Sequence, residues 1–119
     1  MAYTHSNKGI VTFSRDPIDP DSTDWVYFSY QEWLRTGETI TTHDASISGG
    51  TIETDSTSLG TVTDSLGVSY TNTYGVEITP SSGSSEVIVT HRVTSTIAGS
   101  PDLGRTNIDH TIKIPVRTL

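Results

Sequence analysis

Apolar and polar residues alternate along much of the chain with a period of two, which marks strands that bury one face. The clearest run is Glu86 to Thr96, where Val87, Val89, His91 and Val93 fall on one side. Glu86, Thr90, Arg92 and Thr94 fall on the other, and only Ile88 breaks the pattern. Asn107 to Arg117 repeats it, with Ile108, Ile112, Ile114 and Val116 set against Asp109, Thr111, Lys113 and Arg117. Pro115 has no N–H to donate, so that end belongs at a sheet edge or a strand terminus. Gly9 to Ser14, rich in β-branched and aromatic residues, predicts a first strand. Trp25 to Tyr30 is the most aromatic run and reads as a central strand.

Turn chemistry separates these runs. Arg15 to Asp24 holds two prolines and four aspartates, and predicts a loop that cannot pass through a sheet interior. Gln31 to Arg35 has room for one helical turn, with Gly37 as the left-handed residue that ends it. Glu38 to Ser48 and Gly50 to Thr54 flank Gly49-Gly50, a hairpin signal. Short strands are expected at Gly60–Thr63, Val68–Thr73 and Tyr74–Thr79, a turn at Pro80–Gly83 and a loop at Ile97–Arg105. Residues 1–8 are polar and irregular and are expected to form a flexible arm. Seven or eight strands with turn signals about every 8–12 residues predict one all-β domain over residues 9–119, an immunoglobulin-like β-sandwich.

Composition sharpens this picture. Only 32% of the 119 residues are apolar, against about 45–50% in ordinary globular chains. So thin a core suits a two-layer sandwich, or a protein that gains stability from a partner. The net charge of −7 repels phosphate backbones and argues against nucleic-acid binding. No run approaches the roughly 20 apolar residues of a membrane span, and the N-terminus lacks a signal peptide's apolar core. A soluble chain that is not exported by the usual route is therefore expected. Cysteine is absent, which excludes disulfides and thiolate chemistry.

Candidate chemistry is sparse. There is no Gly-x-Ser-x-Gly elbow, no phosphate-cradling glycine loop and no His-Glu-x-x-His, so no enzyme and no cofactor are expected. His5, His43, His91 and His110 are scattered, but His91 and His110 take inward slots on late strands and are placed to meet. The favoured reading is a pair of buried or rim histidines with satisfied hydrogen bonds, against a metal site or pH switch. Asp16, Asp19, Asp21 and Asp24 are the best candidates for a hard cation such as calcium. Their spacing is not that of an EF-hand, and a solvated, turn-forming acidic loop is the stronger reading. Trp25, Tyr27, Phe28, Tyr30 and Trp33 read as core aromatics before they read as a sugar platform. Tyr70 and Tyr74, in a Gly/Ser/Thr/Asn-rich region, are the candidates for exposed contacts.

Asp16-Pro17, the strand Trp25 to Tyr30, and Trp33-Leu34-Arg35-Thr36-Gly37-Glu38-Thr39-Ile40 together form the most specific pattern in the chain. With Gly104-Arg105 and the alternating final strand, they resemble a family of small immunoglobulin-like virion proteins encoded among the structural genes of tailed bacteriophages. Ser29-Tyr30 stands where that family usually has Asp-Trp. The motif makes sense as architecture: Trp33 and Leu34 plug one end of the sandwich, Gly37 reverses the chain, and Thr39-Ile40 launch the next strand. The resemblance implies a virion component, foremost a capsid decoration or cement protein. Such a protein would bind the major capsid protein on the outer shell as a homo-oligomer, with a trimer the natural form at three-fold positions. A neck, tail or fibre-base module, or a carbohydrate-binding adhesin domain, is the alternative.

Overall fold

In the computed structural model, which describes residues 2–7, 9–15 and 17–118, each long alternating run becomes a strand. The strands are β1 (Ala2–Asn7), β2 (Ile10–Arg15), β3 (Asp24–Ser29) and β4 (Glu38–Ser48). They continue with β5 (Gly50–Thr63), β6 (Ser69–Pro80), β7 (Glu86–Ile97) and β8 (Ile108–Pro115). One antiparallel sheet has the order β1-β2-β3-β6-β5 and the other β4-β7-β8. Lettering β2 to β8 as A to G gives A-B-E-D facing C-F-G, the strand order of an immunoglobulin constant-type sandwich. The chain is an all-β sandwich with that connectivity.

The two inner faces follow the alternation closely. Val26, Phe28, Val76 and Ile78 from one sheet meet Val87, Val89, Val93 and Ile114 from the other, all fully buried. Antibody domains tie strands B and F together with a disulfide. Between the same two strands this cysteine-free chain stacks Phe28 of β3 on His91 of β7, with ring centroids 4.9 Å apart. Ile18 seals one side of the sandwich. It bridges Val116 in parallel, and its N–H donates to Pro115 O at 3.0 Å.

Three expectations change. Residues 2–7, expected as an irregular arm, pair along β2 from Ala2↔Arg15 to Asn7↔Ile10. Main-chain pairing at a sheet edge needs no apolar side chains, so the hydropathy pattern gives no sign of it. The separate short strands between residues 50 and 79 are one long hairpin, β5–β6, interrupted by register shifts. Gly60 and Asn72, both at positive φ, sit at those irregularities. Gly49-Gly50 does not turn a hairpin within one sheet. It carries the chain from β4 in one sheet to β5 in the other.

That corner leaves no room for a side chain. Gly49 has φ +82°, and a Cβ there would lie 2.3 Å from Glu86 O. Gly49→Ala should therefore lower the unfolding free energy by about 2–4 kcal/mol, combining left-handed strain with a main-chain clash. Guanidinium denaturation would show this as a lower midpoint at unchanged slope.

Candidate functional site

Three polar or aromatic constellations lie on this frame, and the most tightly built is at the Trp33 end. After β3, the N–H groups of Trp33 and Leu34 both donate to Tyr30 O, closing the single helical turn. Gly37 follows at φ +78° and reverses the chain. Glu38 then opens β4 with a fully buried side chain. Its carboxylate accepts from Arg105 (Nη2 to Oε1, 2.5 Å; Nε to Oε2, 3.0 Å) and from Ser95 Oγ at 2.5 Å. Arg35 adds its backbone N–H at 2.9 Å and its guanidinium Nε at 3.1 Å. The Arg105 guanidinium also lies 3.4 Å from the centroid of the Trp33 ring and donates to Trp33 O at 2.7 Å.

Burial alone would raise the Glu38 pKa. The hydrogen bonds from Arg105, Arg35 and Ser95 outweigh it and hold the carboxyl well below the usual carboxylate range. A buried carboxylate this fully paired stays ionised and ties four segments together: the β3–β4 turn, β4, β7 and the β7–β8 connection. Gly104 completes the node, because a Cβ there would meet Ser95 O at 2.3 Å. Trp33 is buried as expected, Leu34 and Ile40 pack against the core, and Thr39 is exposed. Sequence reasoning gave the architecture of this corner to Trp33, Leu34, Gly37, Thr39 and Ile40, and left Glu38 and Arg105 in the motif without a role. A glutamate between Gly37 and Thr39-Ile40 at a strand start, and an arginine directly after Gly104, were the available signals.

The second constellation crosses the gap between the sheets. A register shift between Thr54 and Thr57 of β5 coincides with Ser56 reaching inward. Its Oγ lies 2.6 Å from His91 Nε2 and 2.6 Å from His43 Nδ1. His91 Nδ1 shares a 2.5 Å hydrogen bond with the Tyr30 hydroxyl. One hydroxyl carries one proton, so Ser56 donates to one imidazole and accepts from the other. Tyr30 and His91 are both fully buried. Desolvation, reinforced by the nearby His43 and His110 and opposed by Asp55, lowers the His91 pKa to about 3. His91 is therefore neutral at physiological pH. Its cross-strand partner is His110, also buried, so the two inward histidines do meet.

This relay is not arranged as a nucleophilic triad. Ser56 is wedged between two imidazoles, and Asp55 Oδ1 accepts from the N–H groups of Ala45 and Ser56. Tyr74 belongs to the same cluster, 4.5 Å from the His43 ring and 5.9 Å from Tyr30. Expected as an exposed contact, it is buried, because its even position on β6 faces inward beside Phe28. His43 is half-buried, and His5 pairs through the backbone with Thr12.

The third constellation lies on the outside of the β2-β3-β6-β5 sheet. Phe28, Tyr30 and Trp33 go to the core as expected, but Trp25 and Tyr27 face outward and are half-buried. Their ring planes differ by 9° at 6.3 Å separation. Tyr27 continues to Phe13 at 4.9 Å, and Phe13 to Tyr70 at 5.0 Å. Asn72, at φ +48°, lies in β6 between Tyr74, which faces the core, and Tyr70, which lies against Phe13. The outer face of the other sheet is polar, with Thr90 against Thr111 and Arg92 against Asp109. That exposed ion pair contributes no more than about 1 kcal/mol.

The acidic loop is held by its own turn chemistry. Asp21 N donates to Asp19 Oδ1 at 2.9 Å, and Ser22 Oγ donates to Asp24 Oδ2 at 2.6 Å. Asp16 lies outside the described residues. Among the described residues, no three acidic, histidine or cysteine side chains are grouped to hold a metal ion. No helix among the described residues is long and apolar enough to cross a membrane. By strand order and inner packing the chain is an immunoglobulin-like β-sandwich with a buried ionic corner. Comparison with protein-family models and with curated proteins returns no match.

Proposed function

We propose that this chain is a non-enzymatic structural module of a tailed-phage particle, foremost a capsid decoration protein that binds the major capsid protein and stabilises the head. One observation carries the reading. The two stretches that resemble the small phage virion proteins, Trp33 to Ile40 and Gly104-Arg105, lie far apart in sequence yet meet at the Glu38–Arg105 pair. A motif whose distant halves form one structural joint is a fold signature, which supports kinship and points away from catalysis.

The polar side chains best placed for chemistry are consumed in holding the sandwich together. What remains for partners is surface: the outer aromatic row and the tip of the β5–β6 hairpin. At that tip Leu66 is 85% exposed and Val68 47%, while Asp64 ties the turn by accepting from the Leu66 and Val68 N–H groups at 2.9 Å. Exposed apolar residues on a hydrogen-bonded turn suit an assembly contact. A neck, tail or fibre-base position is the second reading, favoured by the same projecting hairpin.

Adding the purified protein to particles that lack it should raise the temperature at which the heads release DNA. Leu66→Asp combined with Val68→Asp should abolish the gain. Heads that neither bind the protein nor gain stability would contradict decoration.

A further inference from the structure

The outer face of the four-stranded part of the first sheet combines features that a purely structural surface does not require. Trp25, Tyr27, Phe13 and Tyr70 run in a row across β3, β2 and β6, with interplanar angles of 9°, 29° and 33° between neighbours; Phe13 is buried within the row, and Trp25, Tyr27 and Tyr70 are half-buried. Gly75 makes the row possible. A Cβ there would lie 2.6 Å from Leu59 Cδ1 and 2.9 Å from Trp25 Cε3, so the indole occupies the space of a missing side chain.

Hydrogen-bonding groups sit directly alongside. Glu77 is the cross-strand neighbour of Trp25 and accepts from Thr54 Oγ1 at 2.8 Å. Thr23 and Thr79 share a hydroxyl hydrogen bond at 2.9 Å. These bonds link exposed or half-buried groups and can be exchanged for bonds to a ligand.

A sugar ring has an apolar C–H face and a rim of hydroxyls, and binds where a flat aromatic surface lies beside polar acceptors. A protein partner would favour a continuous aliphatic patch, whereas Leu59 and Val62 beside the row stand singly among the serines, threonines and glycine of β5. Nucleic-acid bases also stack on aromatic rings. The net charge of −7 and the carboxylate of Glu77 repel phosphates. The same repulsion disfavours anionic sugars.

We propose that this face binds a neutral glycan chain. Trp25, Tyr27 and Tyr70 stack on successive sugar rings, and Glu77 and the neighbouring threonines bind their hydroxyls. This goes beyond a place in the virion, and it is tested on the isolated full chain, so its failure leaves the particle reading standing.

The chain has two tryptophans, and Trp33 is buried against Arg105, so a ligand on the outer face is reported by Trp25 fluorescence. Titration with cellohexaose, chitohexaose and maltohexaose should shift that emission for at least one of them. A hexamer of polygalacturonate should give no shift. Trp25→Ala and Tyr27→Ala should each weaken binding about tenfold or more, read by calorimetry, while the far-ultraviolet circular dichroism stays unchanged. If Trp25→Ala perturbs the sheet around Gly75, Glu77→Gln serves as the second probe. It should keep the fold, weaken neutral-sugar binding and remove the discrimination against the anionic hexamer. Absence of any shift across the neutral panel overturns the proposal, as does binding that survives both aromatic substitutions. Loss of particle association in these variants, with no response to sugars, would make the face a protein contact and also overturn it.

Discussion

Glu38→Ala should lower the unfolding free energy by about 3–5 kcal/mol, the usual cost of removing one member of a buried ion pair. The size follows from what stays behind. Arg105 keeps its guanidinium against Trp33 but loses its counter-charge, and Ser95 loses the acceptor of its hydroxyl proton. Arg105→Ala should cost a similar amount, because the buried carboxylate loses both Arg105 bonds and keeps only Ser95 and the half-exposed Arg35. Arg35→Ala should cost much less, because the Arg35 side chain is 48% exposed and its bond is partly solvated. The double variant Glu38→Met with Arg105→Met should be more stable than either single alanine variant, since no unpaired charge remains. Chemical denaturation of the four proteins checks this. Singles that cost under about 1 kcal/mol would mean the corner does not hold the sandwich.

The second large effect is acid lability, and its direction is fixed by His91. In the unfolded chain this imidazole takes up a proton near pH 6.5; in the folded protein it does so only near pH 3. Between those values the unfolded state binds one proton more, so stability falls as pH drops, by about 1.4 kcal/mol per pH unit. Above pH 6.5 the contribution is fully present. Glu38 acts in the same direction over a lower range. Its folded pKa is depressed, so its contribution is intact above pH 4.5 and is lost as the carboxyl becomes protonated below that. Urea denaturation from pH 7.5 down to pH 4 should show the decline beginning near pH 6.5. Replacing His91 by Leu together with Tyr30 by Phe removes both partners of a buried bond and should flatten the upper part of the curve. A curve flat from pH 7.5 to pH 5 in the native protein would mean His91 does not stay neutral.

The core was legible because its signal is periodic. Val87, Val89, His91 and Val93 alternate without ambiguity, and the buried face of β7 follows that pattern. The aromatic run on β3 was legible as a strand but not as two surfaces. Alternation sends Val26 and Phe28 inward and leaves Trp25 and Tyr27 outside. The expectation of core aromatics underweighted that period-two rule. The β5–β6 hairpin escaped because β5 is a polar edge strand whose irregular register scrambles alternation. Tyr70 and Tyr74 are both at even positions in one strand, yet Tyr74 is buried and Tyr70 lies against Phe13, an outward-facing residue of β2. The Asn72 kink between them is invisible to hydropathy. The ionic corner needed tertiary structure, since nothing local to Glu38 says that an arginine 67 positions later will reach it.

Cryo-microscopy of whole particles tests the central reading most directly. A β-sandwich of this shape should appear on the outer head surface at a copy number matched to the major capsid protein, with the β5–β6 hairpin tip at the contact. Particles whose heads and tails contain no copy of this chain would contradict it.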